Sequence, residues 1–353
     1  MSAEKMFNEA VELLKWMISR PSFSREEAEV AAFLHDFLTG KGMDVHRSGN
    51  NMWMFNRHFD PGKPTILLNS HIDTVKPAAG YLRGPFVPVV EGDKLYGLGS
   101  TDAGASVVSL IETFIYFYDR ENLKYNLCLA LTAEEECSGT GGIESILPEI
   151  DNVAFAVVGE PTGMNMAIAE KGLMVVDCVS HGIAGHAARG EGENAIYKAL
   201  KDIEWFRDYK FPKVSDTLGE TVMSVTMINA GSQHNVIPAE CRFTADVRLT
   251  EQYTHEEVLE IIRRNTDCEV TPRSKRLKPS SIPADHPFVQ AGLAAGSTVF
   301  GSPTMSDQAL IPYPSLKMGP GDSRRSHTAD EYILLPEIAE GIKLYIEIFE
   351  KIL

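Results

Sequence analysis

Side chains that can bind a metal ion follow several short apolar segments of the chain. His71 and Asp73 come directly after an apolar run that ends at residue 68, and Asp102 ends a glycine-rich segment. Imidazole nitrogen and carboxylate oxygen are ligands that zinc accepts, and a catalytic zinc takes three of them from the protein. The other candidates of this kind are Glu135, Glu136, Glu160 and His327.

Five of these residues can hold two metal ions if one ligand is shared. A carboxylate has two oxygens, so Asp102 can bridge two metals about 3.5–4 Å apart, the usual spacing of a two-metal site. The first metal would then also take His71 and Glu160. The second would also take Glu136 and His327.

Two further acids have predicted roles beside these ligands. Asp73, two residues after His71, is placed to accept the second ring N–H of that histidine. Glu135 would remain unbound beside the metal, where a general base belongs. Any one of these acids is more often a solvated surface residue. The residue types alone therefore leave two interpretations open, a metal-dependent hydrolase and an ordinary α/β scaffold.

The elements that would position these residues alternate between apolar strands and helices. Apolar runs end at residues 68, 131 and 158, and a helical pattern covers residues 105–117. Continuous apolar strands of this kind are typical of a mostly parallel sheet with helices on both faces, an α/β fold. Ligands of such sheets bind beyond the carboxyl ends of the strands, and the candidate ligands follow those ends.

The pattern changes near residue 172, where half-exposed strands and helices begin to alternate differently. This change predicts an inserted α+β sandwich over residues 173–282. Residues 1–172 and 283–353 would then form the catalytic domain. Strands are expected over 173–179, 221–228 and 241–249, and helices over 194–209 and 256–264.

Two helices are expected before the first strand. Ser2 can cap a first helix that ends before Arg20-Pro21. The S-x-x-E spacing of Ser24 and Glu27 predicts a capping box at the start of the second.

Composition and charge exclude several classes of function. Of 353 residues, 33 are basic and 49 are acidic, which gives a net charge of −16. Such a surface repels phosphate backbones and anionic lipids, so neither a nucleic acid nor a membrane is expected as a partner. We expect no signal peptide and no spanning helix. Five cysteines without a C-x-x-C pair predict reduced thiols and a cytoplasmic location.

Five ordered motifs resemble those of one enzyme family. They are H-I-D-T-V from residue 71, G-L-G-S-T-D from 97, T-A-E-E-E from 132, G-E-P-T from 159 and S-H-T from 326. Their order and approximate spacing resemble the di-zinc aminoacylases and exopeptidases that include acetylornithine deacetylase, succinyl-diaminopimelate desuccinylase and carboxypeptidase G. The resemblance covers nearly the whole chain, and it implies a zinc-exopeptidase-like domain with an inserted lid and dimerisation domain.

The resemblance also implies roles for the motif residues. Glu135, not Glu134, is the general base, and Asp73 supports His71. A cis peptide bond is expected after Asp102. Two Zn²⁺ ions are expected, with Co²⁺ or Mn²⁺ able to replace them. Their ligands would be His71, Asp102, Glu136, Glu160 and His327.

In the insert, the resemblance matches His186 to a lid histidine that reaches the active site of the partner subunit. This match implies a homodimer. Substrate contacts are implied for Asn235 near the oxyanion and for Arg248 on the substrate carboxylate. Ser306, Gly319 and Gly321 match positions that line the substrate end of the cleft.

The chain departs from the family pattern at three places, one of which is Arg83 before G-P-F. The family usually has D-x-K-G at the bridging aspartate, whereas Ala103-Gly104-Ala105 follows Asp102 here. Glu170 stands where the desuccinylase has an arginine, and an acid suits an amine better than a second carboxylate.

The resulting prediction is a cytoplasmic amidohydrolase for an N-acyl amino acid. N-acetylornithine or N-succinylornithine is the expected substrate, in arginine biosynthesis. The alternatives are a succinyl-diaminopimelate desuccinylase, a di- or tripeptidase of the same family, and a non-catalytic binding protein on the same fold.

Overall fold

A computed structural model of the protein describes residues 2–353, which form two compact units. The first extends through Ile168 and includes Ser281–Phe300 and Ser306–Leu353. The second consists of Ala169–Ser280 and Gly301–Met305. The sequence placed the divisions after residues 172 and 282. The lid and dimerisation role of the second unit stays a prediction.

Helices and strands alternate along both units. The α-helices are α1 (Ala3–Ile18), α2 (Ala28–Gly40), α3 (Ala105–Phe117), α4 (Ile143–Ile146), α5 (Ala195–Asp208), α6 (His255–Asn265), α7 (Pro287–Ala294) and α8 (Leu335–Ile352). The strands are β1 (His46–Ser48), β2 (Asn51–Phe55), β3 (Thr65–His71), β4 (Val89–Glu91), β5 (Lys94–Tyr96), β6 (Asn126–Thr132), β7 (Val153–Val158), β8 (Met166–Glu170), β9 (Gly172–His181), β10 (Gly185–His186), β11 (Val222–Ala230), β12 (Val236–Ile237), β13 (Glu240–Leu249), β14 (Glu269–Pro272), β15 (Ser280–Ser281), β16 (Val299–Ser302), β17 (Ser315–Lys317) and β18 (Tyr332–Leu334).

The large sheet has the strand order β1-β2-β6-β3-β7-β17-β8-β15, and β16 pairs with β8. Its centre, β6-β3-β7-β17, is parallel, and β1, β2 and β8 pair antiparallel. Ile66 and Leu68 pack into one apolar cluster and Leu67 into another, so β3 is buried on both faces. The predicted α/β fold with a mostly parallel central sheet is confirmed.

The N-terminal helices follow the sequence expectations only in part. Ser2 caps α1, as predicted, by accepting the backbone N–H of Lys5. The predicted capping box of α2 is wrong, because no side chain caps that helix. The Ser24 hydroxyl instead donates to Asp73 Oδ2 at 2.7 Å, and Glu27 is buried and accepts from Asn50 Nδ2. Both side chains thus have long-range partners, although Glu27 also accepts the backbone N–H of Arg25.

The second unit contains an antiparallel sheet of order β11-β13-β9-β14. Helix α5 packs against β9, β11 and β13, and α6 contacts β14. Buried and half-buried residues alternate along β9, as expected for a sheet with one face on a core. A capping box of Thr254 and Glu257 begins α6. Between residues 2 and 353, no helix combines the length and apolar character needed to cross a bilayer.

Candidate metal centre

The carboxyl ends of three parallel strands bring three of the five predicted ligands, His71, Glu136 and Glu160, to one edge of the large sheet. His71 is the last residue of β3 and is paired with Thr132, the last residue of β6. Glu135 and Glu136 follow three and four residues after β6 ends, and Glu160 follows β7 by two. Because parallel neighbours end at the same edge, their following side chains converge there.

Asp102 lies between the two histidines. Its Oδ1 is 3.2 Å from His71 Nε2, and its Oδ2 is 3.5 Å from His327 Nε2. Glu160 Oε1 lies 3.8 Å from His71 Nε2, and Glu136 Oε2 lies 3.1 Å from His327 Nε2. The structure thus brings the five predicted ligands together in two groups that share Asp102, and their role as metal ligands stays a prediction.

The peptide bond between Asp102 and Ala103 is cis, which confirms the expectation drawn from the resemblance. This bond lies in a short π-helical turn, Ser100–Gly104, that leads into α3. The absence of the family's lysine after Asp102 has therefore not changed this feature of the turn.

Asp73 connects His71 to the loop that carries the glutamates. His71 Nδ1 lies 3.0 Å from the main-chain oxygen of Asp73 and 3.5 Å from its Oδ1. The two carboxylate oxygens also accept the backbone N–H groups of Glu135 and Glu136, each at 3.1 Å. Asp73 therefore fixes both the histidine ring and the start of the glutamate loop, and the second contact was not expected.

The three consecutive glutamates point in different directions. Glu134 has a positive φ of 59°, and its carboxylate accepts the backbone N–H of Gly141. Glu136 contacts His327. Burial raises the pKa of Glu135 well above its ordinary value; His71 opposes this rise, while Glu160 and Asp307 add to it. This arrangement agrees with the register that makes Glu135 the base, and that role stays a prediction.

The charges of the centre test whether it suits metal cations. Burial and the nearby Asp102 raise the pKa of Glu160 to about 8, and a hydrogen bond to Glu136 raises the pKa of His327 to about 9. Burial disfavours protonated His71, yet hydrogen bonds to Asp102 and Asp73 raise its pKa well above the ordinary value. The acidic side chains of the centre outnumber its histidines. Bound protons thus offset part of this excess negative charge. Divalent cations would neutralise the same charge, and the N and O donors suit zinc.

Two predicted residues of the second unit lie side by side. Strand β10 pairs with β12, which places His186 opposite Val236, and the Ala187 N–H donates to the main-chain oxygen of Asn235. His186 is exposed, and its Nδ1 accepts the N–H of Ala188. Arg248, on β13, donates to both carboxylate oxygens of Asp246 at 2.8 and 3.0 Å. The substrate roles of His186, Asn235 and Arg248 stay predictions.

Gly319 and Gly321, which were predicted to line the substrate end of the cleft, allow close packing beside the predicted ligands. A Cβ on Gly319 would lie 2.5 Å from the main-chain oxygen of Glu160, and Gly321 has a φ of +93° with Thr101 against it. A close main-chain contact at the Cβ position and a positive φ are both tolerated more easily by glycine than by any other residue. Ser306 is buried, and its hydroxyl accepts the N–H of Gln308. Contact of these three residues with substrate stays a prediction.

Two buried acids of the centre were not assigned a role from the sequence. Asp307 accepts the Thr132 hydroxyl at 2.9 Å, and burial raises its pKa to about 6 although His71 opposes the rise. Glu331 accepts backbone N–H groups on both sides of Thr101. Glu331 lies three residues after the S-H-T motif that contains His327, and this proximity was the one signal in the sequence. Asp307 follows Ser306, but no spacing distinguishes it from a surface acid.

An α/β sheet whose strand ends gather imidazole and carboxylate groups has the architecture of a metal-binding hydrolase. Residues 67–351 match the model of peptidase family M20/M25/M40. The match spans most of the chain, which therefore belongs to this family, whose members are hydrolases.

Known proteins resemble the chain over most of its length. It is 27% identical over 300 residues to a succinyl-diaminopimelate desuccinylase of Sulfurovum, covering 80% of this chain and 79% of that protein. Aminopeptidase PepT of Bacillus cereus superposes with a TM-score of 0.78 at 20% identity, covering 100% of this chain and 99% of the other. The YxeP protein of Bacillus subtilis, described as a dinuclear metal-binding peptidase, gives a TM-score of 0.73 at 16% identity and 98% coverage of both chains.

Proposed function

We propose that the protein hydrolyses the amide bond of an N-acylated amino acid with the help of two divalent metal ions. The observation that carries this proposal is the position of Asp102, with one carboxylate oxygen toward each histidine. The desuccinylase relative, which removes an acyl group from an amino acid as its name states, supports the substrate class. N-acetylornithine and N-succinylornithine are the first substrates to test.

The two groups of side chains define which residues would hold each ion. His71 and Glu160 would share one ion with Asp102, and Glu136 and His327 would share the other with it. We propose Zn²⁺ because nitrogen and oxygen donors suit it, and the dinuclear description of the Bacillus subtilis protein supports a pair of ions. When bound, such ions polarise the substrate carbonyl and lower the pKa of a nearby water.

Glu135 is proposed to move the proton during hydrolysis. Its carboxylate would accept a proton from the attacking water and deliver it to the amine nitrogen as the amide bond breaks. A group that first accepts and then donates a proton works best when its pKa lies near the operating pH. Asp73 would keep Glu135 in place through its backbone N–H. His186 is proposed to donate an N–H to the developing oxyanion in the partner subunit.

The proposed homodimer is supported by the exposed apolar surface of β11. This nine-residue strand lies at the edge of its sheet, and Val222, Met227 and Ile228 on it are exposed. A long apolar edge strand pairs readily with another chain. A second copy bound to this edge would cover these side chains.

The preference for ornithine that Glu170 suggested in the sequence is not supported. Glu170 is fully buried at the end of β8, so it is not the exposed acid that an amine-bearing substrate would meet. The choice among acyl amino acids and short peptides therefore depends on assay.

A panel of substrates with defined amide bonds tests the proposal. The zinc-loaded protein would be assayed on N-acetylornithine, N-succinylornithine, N-acetylcitrulline, succinyl-diaminopimelate, a dipeptide and a tripeptide. The expected result is preferential hydrolysis of an acyl amino acid. A chelator should abolish this activity, and zinc should restore it. Preference for the peptides would instead identify a peptidase of the family. No turnover of any substrate by a protein that binds two metals would favour the non-catalytic binding protein.

A further inference from the structure

Glu331 holds the turn that carries Asp102. Its Oε1 accepts the backbone N–H groups of Thr101 and Asp102 at 2.8 and 3.0 Å, and its Oε2 accepts that of Gly99 at 3.0 Å. The residue is 2% exposed. One carboxylate therefore satisfies three main-chain donors, one of which belongs to the residue that lies between the two histidines.

The same residue belongs to the segment that carries His327, four positions earlier. Two further bonds join the segments, from the Gly97 N–H to the main-chain oxygen of Glu331 and from the Thr101 hydroxyl to that of Tyr332. Asp102 and Glu331 are 229 residues apart in the chain. Glu331 thus links two predicted ligands that the sequence supplies from distant segments.

The opposite side of the His327 segment is held by Asp330. Asp330 Oδ1 accepts the backbone N–H groups of Leu82 and Arg83 at 3.0 and 3.2 Å, and its Oδ2 lies 3.2 Å from the Arg83 guanidinium. The two consecutive acids therefore clamp the segment between two loops. Glu331 is the one of the pair that reaches a ligand-bearing turn.

The strength of these contacts follows from burial and charge. A buried backbone N–H without a partner costs about 1–3 kcal/mol, and hydrogen bonds to a charged acceptor are stronger than those between neutral groups. The turn at Gly99–Asp102 is irregular, so it cannot satisfy these donors by itself as a regular helix would. Loss of the carboxylate would release the turn, and the side chain of Asp102 would move with it.

We propose that Glu331 is a positioning residue that fixes Asp102 relative to His327 and so sets the metal affinity of the centre. The inference rests on the proposed metal ligands. Residues that orient ligands in this way typically change metal affinity by about 10–100-fold when they are replaced. Glu331 acts through the backbone of the turn, and neither the substrate nor the transferred proton is its target.

Glu331→Gln tests the proposal and Glu112→Gln is its matched control. Glutamine keeps the shape of the side chain but replaces one accepting oxygen with an NH₂ group that faces backbone donors. Glu112 is also a fully buried glutamate of the first unit, on α3, and its carboxylate has no hydrogen-bond partner among residues 2–353. Its replacement removes a buried acid without touching the turn of Asp102.

The metal-free proteins would be titrated with Zn²⁺ against a chromophoric chelator, and with Co²⁺ while the visible spectrum is recorded. For Glu331→Gln we expect the Kd of at least one ion to rise about 10–100-fold, with an altered cobalt spectrum. Glu112→Gln should match the wild type in both. A folded Glu331→Gln protein that binds both ions with wild-type affinity would overturn the inference.

Folding and metal binding are separated by two further measurements. Thermal unfolding of the metal-free proteins shows whether each variant is folded before titration. If Glu331→Gln does not fold, Glu331→Asp keeps the charge but shortens its reach, and it must show the same loss of affinity for the inference to stand. Absence of metal binding by the wild-type protein would overturn the proposed function instead.

Discussion

Glu135 and Glu136 are neighbours in the chain, yet they have different contacts and different proposed roles. Glu136 lies 3.1 Å from His327 Nε2, whereas Asp73 holds Glu135 through its backbone N–H. A ligand and a base should respond differently to loss of charge. Replacing the ligand weakens a metal, and replacing the base removes only a proton acceptor.

Glu135→Gln should therefore bind both metals and lose about 10²–10⁴-fold in kcat, the usual contribution of a general base. Glu136→Gln should bind one metal more weakly. Metal content after dialysis and kcat on the preferred substrate measure the two effects. Glu134→Gln is the control, since its carboxylate faces Gly141. If instead the Glu135 variant lost metal and the Glu136 variant retained it, the assignment of base and ligand to these glutamates would be wrong by one residue.

Glu112 is a residue whose charge opposes folding. Burial raises its pKa from 4.5 to about 8; Glu9 adds to the rise, and Lys41 and Lys5 oppose it. Between these two values the folded protein holds a proton that the unfolded chain releases. The free energy of unfolding therefore falls as pH rises from about 4.5 to 8, and the loss is complete above 8.

Glu112→Gln removes this loss and should stabilise the protein by about 2–4 kcal/mol at pH ~8.5, with little effect near pH ~4.5. Urea unfolding of both metal-free proteins at several pH values measures the difference. The gain should grow steadily across the interval. An equal gain at every pH would mean that packing, and not the proton, accounts for it.

At the scale of elements, the sequence predicted what depends on local pattern. The helix expected over residues 105–117 is α3, because a long apolar pattern beside a glycine-rich turn has few other solutions. The five predicted ligands were identified from ordered motifs in the sequence. Glu331 and Asp307 could not be assigned, because their roles depend on partners far away in the chain.

The helix caps also show that local pattern predicts some features while distant partners decide others. Thr254 and Glu257 form a capping box at α6, while the identical spacing of Ser24 and Glu27 does not cap α2. The difference lies in the partner that Ser24 finds elsewhere in the chain. The Ser24 hydroxyl donates a hydrogen bond to the charged carboxylate of Asp73, and α2 begins only at Ala28, so Ser24 does not occupy the N-cap position of that helix.

Two alanine variants test this difference. Thr254→Ala should lower the free energy of unfolding by about 1 kcal/mol through loss of the cap, with zinc affinity unchanged. Ser24→Ala should weaken zinc binding, because Asp73 loses a donor and supports His71 less firmly. Chemical unfolding and zinc titration of both variants give the comparison. Equal zinc affinity of Ser24→Ala and wild type would show that this hydroxyl does not support the centre.

At the scale of the whole molecule, the residues with proposed roles are divided between the two units. All five predicted metal ligands and Glu135 belong to the first unit, while His186 and Asn235 belong to the second. The second unit thus holds no predicted ligand. Its proposed contribution is to enclose the substrate and to stabilise the oxyanion in the partner's site.

Mixed dimers test whether His186 serves the partner subunit. His186→Ala should bind zinc normally and lose about 10²–10³-fold in turnover, the usual scale for one oxyanion donor. Glu135→Gln should be nearly inactive because it lacks the proposed general base. After subunit exchange of equal amounts, half of the dimers are mixed, and each has one site with an intact Glu135 and a donated His186. Turnover should then recover to about a quarter of wild type. No recovery, despite exchange demonstrated with labelled subunits, would mean that His186 acts within its own chain or not at all.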